Sequence, residues 1–152
     1  MFDPLITSDD LVNELKTRTV GLSELLTTSD IISLHTPLSK NTINIIDTAE
    51  ISLMKASCIL INAARGGIVN ELVLAEAIIH SKIGGAVIDV YATEPPSHDN
   101  PVFMVPKPQI NKLLLTPHIA GITSQAWSRL FSKSWENVVD FVFNKNASFV
   151  VN

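Results

Sequence analysis

The sequence has a single cysteine, Cys58, so no internal disulfide can form, and the thiol sits in an apolar run where a buried, inert cysteine is the ordinary case. A reducing, cytoplasmic compartment is expected. No apolar run approaches the roughly 20 residues that span a bilayer. The opening MFDPLITSDD has neither the basic nor the apolar part of a signal peptide. Basic residues show no excess. Eleven Lys and Arg against 15 Asp and Glu give a formal net charge of −4 with no basic stripe, which argues against nucleic acid and membrane surfaces as partners. Only six glycines occur, and no set of them is spaced as G-x-G-x-x-G. Internal repeats, low-complexity segments and linkers are absent as well.

What is present is an alternation. Short runs rich in Ile, Val and Leu lie at 30–34, 57–61, 86–90 and 113–115, each without the in/out alternation of a half-solvated strand. They read as parallel strands covered on both faces. Helix starts fall between them. Ser8-Asp9-Asp10 and Ser23 each open a short segment, Asp47 with Glu50 makes a capping box, and Asn70 caps Glu71 to Ile79. After Thr123 comes a long amphipathic helix whose stripe contains Trp127, Leu130, Phe131, Trp135, Val138, Val139 and Val142. The two tryptophans read as packing anchors. Residues 93–109, with five prolines, form the one long irregular stretch. Strand, helix, strand, helix with short connections predicts an α/β fold with a parallel sheet, and 152 residues suffice for one real core.

In a parallel sheet every strand ends on the same edge, where α/β proteins bind ligands. The strand ends here are rich in polar residues. They read His35-Thr36-Pro37, then Asn62-Ala63-Ala64-Arg65-Gly66-Gly67, then Asp89 to Pro96, then Thr116-Pro117-His118-Ile119-Ala120-Gly121. Arg65, Glu94 and His118 would therefore converge on one cleft. Singly, each has a bland reading as a surface ion pair, a solvated charge and a backbone-satisfied histidine. Together they suit a small anionic oxo- or hydroxy-acid, because a guanidinium matches a carboxylate and a histidine beside a carboxylate serves acid/base chemistry.

ILINAARGGIVNE, AVIDVYATEPP and LLLTPHIAG, in that order, with SLHTPLSKNTINII upstream, resemble the D-isomer-specific 2-hydroxyacid dehydrogenases, with the flavour of the phosphoglycerate and glyoxylate-hydroxypyruvate reductase branch. The resemblance implies a Rossmann-like, doubly wound parallel sheet and an oxidoreductase that interconverts a D-2-hydroxy acid and its 2-oxo acid with NAD. It implies that Arg65 holds the substrate carboxylate and polarises the carbonyl. His118 would be the proton donor, and Glu94 would hydrogen-bond His118 and keep it in the donating state. Asp89 would fix the carboxamide of the cofactor. Thr36, the backbone of Ala63 and Ala64, and the loop from His118 to Gly121 match cofactor-contacting positions, as does Arg65. Asp3 matches the acidic residue that binds the adenosine ribose and favours NAD over NADP. No metal is implied. His35, His80 and His98 keep bland readings.

By the same resemblance the sheet is N-terminally truncated, without the family's first strand and glycine-rich turn. Residues 1–122 would be a partial NAD-binding domain, and 123–152 a helix and tail returning toward a separate substrate domain. A homodimer or a heterodimer with a full-length paralogue is implied by analogy. The alternative is a catalytically inactive binding or regulatory protein on an NAD fold.

Overall fold

The computed structural model describes residues 1–4 and 16–144. The helix start at Ser8-Asp9-Asp10 lies outside them. The chain divides into two compact units, Met1–Pro117 and His118–Asn152.

In the first unit the described elements follow in order: α1 (Leu22–Thr28), β1 (Ile31–Leu34), α2 (Thr48–Leu53), β2 (Ile59–Asn62), α3 (Glu71–Ile79), β3 (Gly85–Ile88), a 3₁₀ turn (Pro101–Met104), α4 (Lys107–Ile110) and β4 (Leu113–Leu115). The four strands are all parallel and lie in the order β1-β2-β3-β4. This is the Rossmann-like α/β arrangement. Among the described residues the winding runs in one direction only. Parallel crossovers keep one hand, so strands added steadily in one direction return every connection to the same face.

That geometry corrects one expectation. Ile32, Leu60, Ala86 and Leu113 form one register row, and Leu34, Asn62, Ile88 and Leu115 form the next row of the same face. Against these pack Ile51 and Met54, Leu74, Ala77 and Ile78 of α3, and Val102, making the core. The opposite face carries Ile31, Ile59, Ile61, Val87 and Leu114 and is not covered on the outer strands. Ile31 is 64% exposed and Leu114 57%. The strands look covered on both faces by composition, yet among the described residues Ile31 and Leu114 stay exposed on this face.

The caps explain where α2 and α3 begin. Asp47 Oδ1 accepts from the Thr48 amide at 2.6 Å, and Glu50 Oε2 accepts from the Asp47 amide at 3.1 Å, which completes the capping box. Asn70 caps α3 through the Val73 amide at 3.3 Å and also donates to Asp47 Oδ2 at 3.2 Å. The two helix starts are thereby tied together. The Thr48 amide, followed by the Asn70 amide group, holds the Asp47 carboxyl below its usual range. Its stabilising contribution is therefore complete above the ordinary Asp pKa and is lost as pH falls through the lowered one.

Two sequence expectations change here. Gly21, not Ser23, is the N-cap of α1, so Ser23 sits inside the first turn. The 93–109 stretch is also not wholly irregular. It contains the 3₁₀ turn and α4, each with a proline in its first turn, where the missing N–H costs nothing.

In the second unit α5 (Ser124–Val139) begins at Thr123, whose hydroxyl accepts from the Ala126 amide at 3.0 Å. It continues as a π-helical turn, Asp140–Asn144. Trp127 stacks on Phe131 with ring centroids 5.6 Å apart, an i,i+4 pair on the apolar stripe. Among the described residues the tryptophans are not buried anchors, since Trp127 is 46% and Trp135 69% exposed.

Candidate active site

Because all four strands are parallel, their C-terminal ends share one edge. His35 and Thr36 follow β1. The His35 Nε2 lies 2.8 Å from the Ser33 hydroxyl, a contact that fits a structural strand-end residue. The Thr36 hydroxyl donates to the carbonyl of the next residue, Pro37, at 3.4 Å.

The turn after β2 is built by Asn62, which is 2% exposed. Its amide group donates to the Arg65 carbonyl at 3.0 Å, and its carbonyl oxygen accepts from the Ala64 amide at 3.2 Å. Both halves of one buried side chain thus hold Ala63, Ala64 and Arg65 in a single loop conformation. Arg65 itself is exposed, and its Nη1 donates to the Ala64 carbonyl at 2.6 Å. Sequence reasoning assigned Asn62 no role. The signal was a polar residue closing an otherwise β-branched strand. Asn62→Ala removes both bonds and leaves two backbone groups unpartnered in a half-buried turn, so we expect a loss of about 1–3 kcal/mol, measured by urea unfolding.

The turn after β2 presses on the turn after β3. A Cβ added to Gly66 would overlap the Tyr91 carbonyl and approach the Ala92 nitrogen to 2.6 Å, so only glycine allows this backbone contact. Gly67, with φ of 77°, occupies the left-handed region that favours glycine. The Tyr91 amide donates to Glu94 Oε1 at 3.0 Å, which folds the glutamate back onto the end of its own strand. The Glu94–Pro95 peptide is cis. Arg65 and Glu94 therefore stand on two loops locked backbone to backbone.

Asp89, 2% exposed, is a buried carboxylate at the same edge. The Thr116 hydroxyl donates to Asp89 Oδ1 at 2.5 Å, and the Tyr91 hydroxyl donates to the Thr116 carbonyl at 3.0 Å. The Thr116 amide donates to the Ile88 carbonyl at 3.0 Å. Thr116 is thus held through its amide, hydroxyl and carbonyl. Burial first, then the charges of Asp89, Glu71 and Glu94, push the Tyr91 phenol above its ordinary value. Tyr91 is the only tyrosine in the chain, so absorbance at 295 nm reads it alone. Its alkaline midpoint is expected above about 10 in the folded protein and near 10 after unfolding. A raised folded pKa means that this stability is fully present below the unfolded value and is lost as pH rises through the folded one.

The remaining expected residues fall in the N-terminal segment and in the second unit. Asp3 lies two residues after Met1, which pairs with Arg18 and Val20 through Met1 N to Arg18 O at 2.6 Å and Val20 N to Met1 O at 2.9 Å. His118 opens the second unit, with φ of 55°. Gly121 follows in the same unit, its Cβ position open and its carbonyl accepting from the Thr123 amide at 3.1 Å. Among the described residues, no helix is long and apolar enough to cross a membrane and no cluster of three or more His, Cys, Asp or Glu is placed to hold a metal.

This edge defines an α/β dinucleotide-domain class. Residues 1–120 match the family described as D-isomer specific 2-hydroxyacid dehydrogenase, NAD binding domain, and the chain belongs to it. It is 40% identical over 125 residues to a D-3-phosphoglycerate dehydrogenase of Archaeoglobus fulgidus, covering 82% of this chain and 23% of that protein. It is 41% identical over 131 residues to a glycerate dehydrogenase of Methylorubrum extorquens, covering 86% and 41%. Among solved structures, D-lactate dehydrogenase with NAD+ from Lactobacillus jensenii superposes with a TM-score of 0.80 at 30% identity, covering 99% of this chain and 47% of that one. The chain thus spans less than half the length of each of these proteins.

Proposed function

We propose that this chain forms the catalytic edge of an NAD-dependent D-2-hydroxyacid dehydrogenase. The observation that supports the reading most is the locked pair of turns, in which Gly66 lies against Tyr91 while the flanking residues present Arg65 and Glu94. The residues suit the nicotinamide end of the cofactor. A buried Asp89 carboxylate, oriented by Thr116, is the acceptor that a carboxamide N–H needs, and Thr36 and the Ala63–Ala64 backbone share its edge. Asp3 is the candidate for the adenosine ribose. The sequence contains no G-x-G-x-x-G turn for the pyrophosphate, so that contact is not among the tasks of these residues.

The cofactor supplies or accepts the hydride when bound. The other tasks fall to this chain. Arg65 binds the substrate carboxylate through its planar fork and draws charge from the 2-oxo group. His118 gives its proton to the carbonyl oxygen in reduction and takes it back in oxidation. In this reading Glu94 is the carboxylate assigned to His118, to fix the tautomer that faces substrate. The loop to Gly121 adds backbone contacts to the cofactor. Residues 1–122 act as the nucleotide-binding part, and 123–152 carry the chain toward the substrate domain. The exposed apolar stripe of α5 supports that division. A reducing cytoplasm suits the buried Cys58 thiol, and association with a second copy or a full-length paralogue completes the reading.

The test is NADH oxidation by the native gene product, followed at 340 nm with a panel of 2-oxo acids. Turnover supports the dehydrogenase. NADH binding without turnover of any 2-oxo acid rejects it in favour of a non-catalytic NAD-binding protein.

A further inference from the structure

We propose that Glu71 is a positioning residue for Glu94, acting through a clamp that it forms with Asn100. The proposal rests on Glu94 belonging to the active site. Glu71 is the first residue of α3, the helix whose Asn70 cap is tied to Asp47 and whose inner face carries Leu74, Ala75, Ala77 and Ile78 of the core. It stands on a helix start braced by the Asn70 cap and by the bond from Asn70 to Asp47. Both of its carboxylate oxygens reach across to the loop after β3. Oε1 accepts from the Ala92 amide at 2.7 Å, and Oε2 accepts from the Asn100 side-chain amide at 2.8 Å. Asn100 is buried, and its own Oδ1 accepts from the Val102 amide at 3.0 Å, which fixes which end of the side chain faces Glu71.

The clamp therefore pins the loop at both ends of the segment that holds Glu94, Pro95 and Pro96. Between the pins, Glu94 Oε1 takes the Tyr91 amide, the neighbour of the Ala92 amide that Glu71 holds. Gly66 packs closely against the backbone of the same two residues, Tyr91 and Ala92. Most of the 92–99 segment is exposed, so apolar burial does not hold it. Charge-assisted hydrogen bonds from a braced helix start do.

The donor and acceptor pattern makes the clamp testable by exchange. Glu71→Gln places one new N–H₂ against a donor whichever way it turns, so one of the two bonds is lost. Asn100→Asp sets carboxylate against carboxylate. Made together, the two substitutions restore every bond, because the new amide accepts from Ala92 and donates to the new carboxylate, whose other oxygen keeps the Val102 amide.

Amide hydrogen exchange by NMR on the native protein reads the result. Each single substitution is expected to speed exchange at Tyr91 and Ala92 by about tenfold or more. The Asp89 and Ala86 amides, bonded to the Asn62 and Lys112 carbonyls, keep their protection. The double substitution returns Tyr91 and Ala92 to wild-type rates. Equal loss at all four amides would assign Glu71 a merely structural role and overturn the proposal. So would unchanged exchange at Tyr91, or failure of the double substitution to restore it. In turnover, kcat falls in the singles and recovers in the double while KM holds. Absence of turnover in the wild type would instead reject the dehydrogenase reading, and the exchange result would still decide the clamp.

Discussion

Replacing His118 by asparagine is expected to lower kcat for 2-oxo acid reduction by about 10²–10⁴-fold, the span usually removed with a general acid. Asparagine is close in size and keeps a donor, but it cannot give up a proton. NADH binding, read by fluorescence, should persist. Arg65→Lys is the companion case. Lysine retains the charge and loses the fork, so KM for the oxo acid should rise more than kcat falls. A His118→Asn protein with full activity would remove His118 from the chemistry.

The largest effect on stability is expected from Gly66→Ala. The added methyl would fall on the Tyr91 carbonyl, which is backbone of the strand end and cannot swing aside as a side chain could. Forced overpacking costs about 1–3 kcal/mol and occasionally more, and a backbone obstruction belongs at the upper end. For a chain of this size about 3 kcal/mol corresponds to a fall in Tm on the order of 10 °C, measurable by far-UV circular dichroism. Gly121→Ala is the control, since nothing lies within 4 Å of its Cβ position and its φ is not left-handed. A Gly66→Ala protein melting with wild type would show that the two turns do not press together as described.

The strands were legible because runs such as Ile59-Leu60-Ile61 and Ala86-Val87-Ile88 admit few other readings. Two caps, at Asp47 and Asn70, were legible because each motif is local, its donor and acceptor lying within three residues. Gly21 escaped notice because it caps without a side chain. The one-sided cover of the sheet was not legible either. An apolar run records that a face prefers burial, not which polypeptide buries it, and the exposed Ile31 and Leu114 look the same in sequence as the buried Ile32. At the candidate site, the turns at strand ends pointed to Arg65, Glu94 and His118, and the family resemblance pointed to Asp89. Their supports did not show, because these act across the fold. Thr116 reaches Asp89 over 27 positions and Asn100 reaches Glu71 over 29, and no periodicity in the sequence announces such a pair.

The central claim is hydride transfer at C2 of a 2-oxo acid on this edge. It is tested most directly by giving the native gene product NADH deuterated at the transferring C4 position, together with 2-oxo acids, and analysing the product by NMR and chiral chromatography. The account predicts a 2-hydroxy acid of D configuration with a single deuteron on C2, formed far more slowly when Arg65 or His118 is replaced. An L product, a product without deuterium at C2, or no product from any 2-oxo acid would contradict it.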